Sequence, residues 1–280
     1  MTATFRFHQL DVFTATPLKG NPLAVVHGAD ALDAAQMQAF ANWTNLSETT
    51  FLVAPTTAGA DYRVRIFTPA RELPFAGHPT LGSCHAWLAA GGQPHSDEIV
   101  QQCGVGLVRI LRDGGRLAFA APPLVRSGAV EPAIVAQIAR SLRVAPDALR
   151  ATRWVDNGPG WVAALLDSRE AVLALQPDVA AMGDLELGVV GPWPVAEHGE
   201  AQFEVRAFVP SVGVGEDPVT GSLNAGLAQW LIGAGFAPDH YVASQGTALG
   251  RAGRVHVDRV GADIWIGGHT VVCVEGHVTL

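Results

Sequence analysis

The sequence predicts an α+β fold of two similar halves, each a mostly antiparallel sheet curved around a central helix. Three observations predict it. Residues 72–82 (ELPFAGHPTLG) and 216–226 (EDPVTGSLNAG) carry one pattern twice at a constant offset of 144, pairing Glu72 with Glu216, Pro74 with Pro218, Gly77 with Gly221 and Gly82 with Gly226. The segment after each Gly turn is apolar nearly all round: Leu81, Cys84, Ala86, Trp87 and Leu88 in one, Leu223, Ala225, Leu227, Ala228, Trp230 and Leu231 in the other. A helix without a polar face has to be surrounded. Each Gly turn also follows a strand-like run, YRVRIFTP (62–69) and FEVRAFVP (203–210), rich in β-branched and aromatic residues. The element order lacks the regular βαβ alternation of a doubly wound sheet.

The elements follow in order. Residues 5–13 alternate as a strand, 17–22 (PLKGNP) form a turn, and 23–27 form a second strand. A helix runs from Asp33, a plausible N-cap, to Trp43 with Met37, Phe40 and Ala41 on one face. Strands at 48–54 and 61–68 precede the first Gly turn, and the first apolar helix spans 79–90 with Pro79 at its first position, ending at Gly91-Gly92. Strands at 98–103, 105–111 and 116–121 follow, the last two joined by an Asp113-Gly114-Gly115 turn. Residues 122–132 have the Pro/Gly content of a linker. The second half holds a helix at 132–141, strands at 151–155 and 161–166, a helix at 168–174, strands at 186–191 and 203–210, the second buried helix, and strands at 254–258, 263–267 and 271–275. The predicted domains are 1–125 and 126–280, with the last strand, near 270–280, pairing back onto the first half.

Composition narrows the function. The chain has 280 residues, 49% hydrophobic and 16% charged, which requires a globular core. Its net charge of −8, without any Lys/Arg cluster, argues against nucleic acid. Of 18 basic residues only Lys19 is a lysine, and its place in a turn makes a pyridoxal-phosphate Schiff base implausible. Cys84, Cys103 and Cys273 are scattered and odd in number, so they suggest neither a disulfide framework nor a metal site. The most apolar stretch, 223–237, is interrupted by Asn224 and Gln229 and is too short for a membrane span. The N-terminus alternates like a strand rather than forming a signal peptide, so a cytoplasmic protein is expected.

The two Gly turns are the first candidates for chemistry. Each opens a helix whose leading N–H groups lack helical acceptors, and Gly77 and Gly221 allow close backbone approach. Two such ends can bind a carboxylate without any basic side chain, although Pro79 and Ser222 equally suit simple helix caps. His78 lies in the first turn, directed by Pro79, and a neutral imidazole exchanges protons near pH 7. Asp217 can cap the second helix or bind a substrate amine or hydroxyl. Glu48 stands at the mouth of the apolar strand TTFLVA, where partial burial would raise its pKa and make it usable as an acid or base. The other signals are weaker. Gly213-Val214-Gly215 lacks the spacing of a dinucleotide fingerprint, Cys103 reads as a small buried thiol, and His85 reads as core.

Taken jointly, DVFTATPLKGNPLAVV, NLSETTF, RIFTPARELPFAGHP, NGP (157–159) and GEDPVTGS resemble the PhzF-like isomerases of phenazine biosynthesis, which share the diaminopimelate-epimerase fold. The resemblance covers nearly the whole chain. It implies two pseudo-symmetric, β-barrel-like domains around central helices, with the active site between them and a homodimeric assembly. It makes Glu48 the proton-shuttling residue, with His78 and Asp217 beside it, and Ser47, Gly77, Gly221 and Ser222 as substrate contacts. It also implies a small carboxylate substrate, no cofactor and no metal. The residues 157–161 and 211–216 are expected to set specificity. Where diaminopimelate epimerase carries its two cysteines, this chain has Ala76 and Thr220, so a thiol-based racemase is not supported. Two other functions remain open: an amino-acid epimerase or racemase with a non-thiol second base such as His78, and a binding protein without activity.

Overall fold

The structure, a computed structural model, describes residues 3–194, 199–210 and 214–280. The chain divides into two units, Met1–Ala120 with Gly267–Leu280, and Ala121–Ile266. It is mixed α/β, mostly sheet with few helices.

The first unit holds β1 (Thr4–Val12), β2 (Asn21–Val26), α1 (Ala34–Thr44), β3 (Glu48–Val53), β4 (Tyr62–Phe67), β5 (Glu72–Leu73), α2 (Gly77–Ala89), β6 (Ile99–Cys103), β7 (Gly106–Asp113), β8 (Arg116–Ala120) and the C-terminal strand Thr270–Thr279. From the C-terminal strand the sheet runs β1, β2, β3, β4, β6, β7, β8. Only β2–β3 and β4–β6 are parallel. The two-residue β5 shares an edge of β4 with β6. Helix α2 touches β1, β2, β3, β4, β8 and the C-terminal strand, which places it inside the curve of the sheet. Helix α1 packs on a separate core of Phe5, Val26, Leu32, Met37, Phe40, Phe51 and Phe67. Asp33 caps α1 in a reciprocal box with Gln36. Gly114 and Gly115, with φ of 53° and 87°, make the two-residue turn between β7 and β8, where both positions need the left-handed region.

The second unit holds β9 (Arg126–Gly128), α3 (Pro132–Leu142), β10 (Ala151–Asp156), β11 (Trp161–Leu165), α4 (Arg169–Leu173), α5 (Val179–Met182), β12 (Glu186–Pro192), β13 (Phe203–Val209), β14 (Val214–Asp217), α6 (Gly221–Gly233), β15 (His240–Gln245), β16 (Gly253–Val260) and β17 (Asp263–Gly268), whose last two residues fall in the first unit. Its sheet runs β9, β10, β11, β12, β13, β15, β16, with β14 added on β13. From β10 to β16 the pairing senses are antiparallel, parallel, antiparallel, parallel and antiparallel, the same series as from β1 to β7. Helix α6 packs on β10, β11 and β16. Helices α3 to α5 cover a second core that includes Ile138, Trp154, Val172, Met182 and Phe208.

Several expectations need correction. The first buried helix starts earlier than Pro79 suggests. Ala76 and Thr220 are the N-caps, and Pro79 is the third helical residue of α2. Proline fits anywhere in the first turn, because those positions have no helical acceptor for an N–H. Ser222 is not a capping hydroxyl, since α6 has no side-chain cap. The 122–132 linker contains β9, paired with β10. His85 is only half-buried, because the last turn of α2 emerges from the sheet, where Trp87 and Leu88 are also partly exposed.

Candidate active site

Glu48 is placed by the end of α1. Asn45 closes that helix with a φ of 55°, a conformation its short polar side chain tolerates. Leu46 and Ser47 then lead directly into β3, with Glu48 as its first residue opposite Leu23 of β2. Ser47 is half-buried. The Glu48 side chain is 15% exposed, and its Oε2 lies 3.4 Å from His78 Nε2. The neighbouring β3 residue Thr50 accepts a hydrogen bond from Ser83 Oγ at 2.9 Å, which ties the strand carrying Glu48 to the helix carrying His78.

His78 is the second residue of α2 and is fully enclosed. Burial pushes its pKa down to about 3, opposed only in part by a hydrogen bond to the Pro22 carbonyl. Its Nδ1 lies 3.3 Å from Asn21 Nδ2. At neutral pH the imidazole is therefore uncharged, and the Glu48–His78 contact is not an ion pair despite its length. Beside it, the N–H groups of Gly77 and His78 have no acceptor within α2, whose first backbone bond runs from Thr80 N to Ala76 O.

The second unit places Asp217 at the end of β14, buried. Its Oδ2 accepts from Thr220 Oγ1 at 2.5 Å. Gln245, fully buried in β15, donates from Nε2 to Thr220 Oγ1 (2.9 Å) and accepts at Oε1 from Thr220 N (3.0 Å) and Asn224 Nδ2 (2.9 Å). The hydrogen bonds thus run one way, Gln245 to Thr220 to Asp217, and present the carboxylate as an acceptor. Asp217 does not cap α6. It bonds the side chain of the N-cap residue instead. Ser222, the second residue of α6, is held by other partners. Its Oγ accepts from Trp161 Nε1 at 3.0 Å and its carbonyl accepts from Asn157 Nδ2 at 2.8 Å. The N–H groups of Gly221, Ser222 and Leu223 precede the first helical bond, from Asn224 N to Thr220 O.

The expected residues therefore form two groups, Glu48, His78, Ser47 and Gly77 in the first unit, and Asp217, Gly221 and Ser222 in the second. Sequence reasoning missed Asn21 and Gln245 as partners that hold them, and it named Thr220 only as the place of an absent cysteine and Trp161 only within the 157–161 segment. It also missed a repeated ion pair. Arg65 grips Glu72 with two bonds of 2.8 and 2.7 Å, and Arg206 grips Glu216 with two of 2.9 and 2.7 Å. Each tethers the strand before a Gly turn to the short strand leading into it. The signal was present in the VRIF/VRAF and Glu72/Glu216 matches. Of the expected specificity segments, 157–161 forms the Ser222 bracket, whereas 211–213, including Gly213, lie outside the described residues. Cys103 is buried at the end of β6 with its thiol pKa raised by burial, and Cys84 is pushed up to about 12, so neither is a nucleophile at neutral pH. Among the described residues no group of three or more His, Cys, Asp or Glu is arranged to hold a metal, and no helix is long and apolar enough to cross a membrane.

The comparisons with known proteins agree on one family. The model of the phenazine biosynthesis-like proteins, PhzC-PhzF, matches residues 10–276. A Schizosaccharomyces pombe protein named antisense-enhancing sequence 1 is 36% identical over 292 aligned residues, 96% of this chain and 97% of its own. Trans-2,3-dihydro-3-hydroxyanthranilate isomerase of Pseudomonas aeruginosa is 32% identical, covering 98% of this chain and 99% of its own. The crystal structure of a PhzF-family protein from Enterococcus faecalis superposes with a TM-score of 0.82 at 24% identity, covering 99% of this chain and 100% of that one. A hydroxyproline epimerase from Agrobacterium vitis shares the fold at a TM-score of 0.60 and 13% identity, over 99% of this chain and 93% of its own. The chain belongs to the PhzC-PhzF family of phenazine biosynthesis-like proteins and is an isomerase.

Proposed function

We propose that the chain is a cofactor-independent isomerase that moves a proton on a small carboxylated substrate bearing an amino or hydroxyl group. One observation carries this reading. Glu48 lies with little exposure at 3.4 Å from a neutral, buried histidine. In it, Glu48 removes a proton from carbon and returns it on the same face one or more atoms away. His78 hydrogen-bonds the substrate or relays the proton, and Asp217 receives a substrate amine or hydroxyl. Ser47, Ser222 and the backbone N–H groups at Gly77 and Gly221 hold the carboxylate. General acid–base action of this kind contributes roughly 10²–10⁴-fold, with positioning and electrostatics supplying the rest. The reading also takes the two units as pseudo-symmetric halves of a duplicated domain, supported by their common series of pairing senses. A homodimer in the cytoplasm belongs to the same proposal by family resemblance.

An epimerase with His78 as second base fits less well. Burial makes this imidazole a weak base, and Ala76 and Thr220 offer no thiol. The test is deuterium uptake from D₂O by trans-2,3-dihydro-3-hydroxyanthranilate and by small amino acids. Glu48→Gln is expected to abolish uptake while leaving the fold intact, and retained configuration in the product distinguishes a shift from an epimerisation. Equal uptake by wild type and Glu48→Gln refutes the role of Glu48.

A further inference from the structure

Residues 156–161 form a bracket around Ser222. The Asp156 carboxylate accepts the N–H groups of Gly158 and Gly160 through Oδ1, each at 2.7 Å. Those glycines have φ of 135° and 101°, where a side chain would be strained, so the turn between β10 and β11 is fixed from within. Its two ends reach α6. Asn157 bonds the Ser222 carbonyl, and Trp161, only 2% exposed, bonds the Ser222 hydroxyl oxygen. An indole N–H can only donate, so Ser222 Oγ is the acceptor in that bond. Among the described residues it is the one bond Ser222 Oγ makes, and the residue is only 7% exposed. The serine proton is thereby turned away from Trp161, and a hydroxyl that accepts one strong bond donates another more strongly. It sits at the head of a 13-residue helix, where the N–H groups and the positive dipole end favour an oxygen with lone pairs.

We infer that Trp161 is a positioning residue that makes Ser222 a hydrogen-bond donor toward the substrate carboxylate. The inference rests on the proposed carboxylate role of Ser222 and adds what sets the direction of its proton. Its first unit parallel is different in kind. There Asn21, which opens β2 as Trp161 opens β11, approaches His78, which has the place in α2 that Ser222 has in α6. The two helix heads are thus provided with unlike polar groups by residues at matching places in the fold.

The test is a double-mutant cycle of Trp161→Phe and Ser222→Ala, read as binding of anthranilate and of aniline, which lacks the carboxylate, by titration calorimetry. Each single change is expected to weaken anthranilate about three- to tenfold, and the double change no more than Ser222→Ala alone. Aniline binding is expected to stay unchanged. The indole N–H resonance that vanishes in Trp161→Phe is expected to move upfield in Ser222→Ala, a readout independent of ligand that also reports on folding. If Ser222→Ala weakens anthranilate but Trp161→Phe does not, or the two effects add, the role of Trp161 is overturned. If wild type fails to bind anthranilate, or Ser222→Ala binds it as well as wild type, the underlying carboxylate reading fails instead.

Discussion

Gly82 and Gly226 are each the sixth residue of a buried helix, and the same substitution at both tests how the helices are seated. A Cβ added at Gly82 would lie 2.5 Å from Leu23 Cδ2 and 3.0 Å from Val12 Cγ2. A Cβ at Gly226 would lie 2.2 Å from the backbone carbonyl oxygen of Val155 and 3.1 Å from its Cβ. The first obstacle is the tip of a leucine, which can rotate. The second is the backbone of β10, held on both sides by ladders to β9 and β11. Relief there requires α6 to move by more than 1 Å, roughly the difference from an ordinary contact of about 3.4 Å or more. Overpacking typically costs about 1–3 kcal/mol, against about 1 kcal/mol of helix propensity gained on replacing glycine by alanine. Gly82→Ala is therefore expected to lie between neutral and about 2 kcal/mol destabilised, and Gly226→Ala at about 3 kcal/mol or beyond. Urea unfolding followed by far-UV circular dichroism measures both. A Gly226→Ala protein as stable as wild type, or more stable than Gly82→Ala, would refute the rigid seating of α6.

Two further outcomes follow from the same geometry. His78 has a folded pKa of about 3, below the 6.5 of an unfolded histidine, so the unfolded chain takes up its proton first and stability falls as pH drops below about 6.5. Between pH 7 and 4.5 that single group accounts for roughly 2–3 kcal/mol, and His78→Gln is expected to lose correspondingly less stability between urea titrations at those two pH values; identical pH slopes would contradict this. His27, lowered to about 4 mainly by burial, and His85, also lowered by burial, act in the same direction. Arg206→Lys, which breaks a bidentate pair with side chains only 7% and 12% exposed and removes bonds to the Val172 and Leu175 carbonyls, is expected to cost about 2–4 kcal/mol. Arg65→Lys, in a pair 22% and 43% exposed, is expected to cost about 1 kcal/mol or less, and equal melting midpoints for the two variants would argue against the buried pair.

Much of the architecture was legible because it rests on local pattern. The Asp33 cap, the two apolar helices and the alternating strands all follow from residues a few positions apart. The start of α2 falls two residues before Pro79 because a proline in the first turn marks the turn but not the residue within it. The short β5 and β14 have too few residues to show a period. In the candidate site, Glu48 and His78 stood out as single residues, and the structure supplies the distance between them. The hydrogen bonds that fix the site were hidden for another reason. Asn21 lies 57 residues from His78, Trp161 61 from Ser222 and Gln245 25 from Thr220. Such contacts are set by strand register, which a one-residue slip would abolish.

The return of the C-terminal strand to the first unit carries a consequence for how the chain is made. Residues 3 and 280 exchange both backbone bonds, Ala3 N to Leu280 O at 2.8 Å and Leu280 N to Ala3 O at 2.9 Å, and β1 is flanked by the last strand along its full length. During synthesis β1 therefore emerges long before its partner and waits for residues 270–279, which emerge roughly 260 positions later and only after every strand of the other unit from β9 to β16 has left the ribosome. The unit encoded second is in a position to finish folding before the unit encoded first. Until then, the exposed edge of β1 is the place where a nascent chain most needs protection from pairing with the wrong strand.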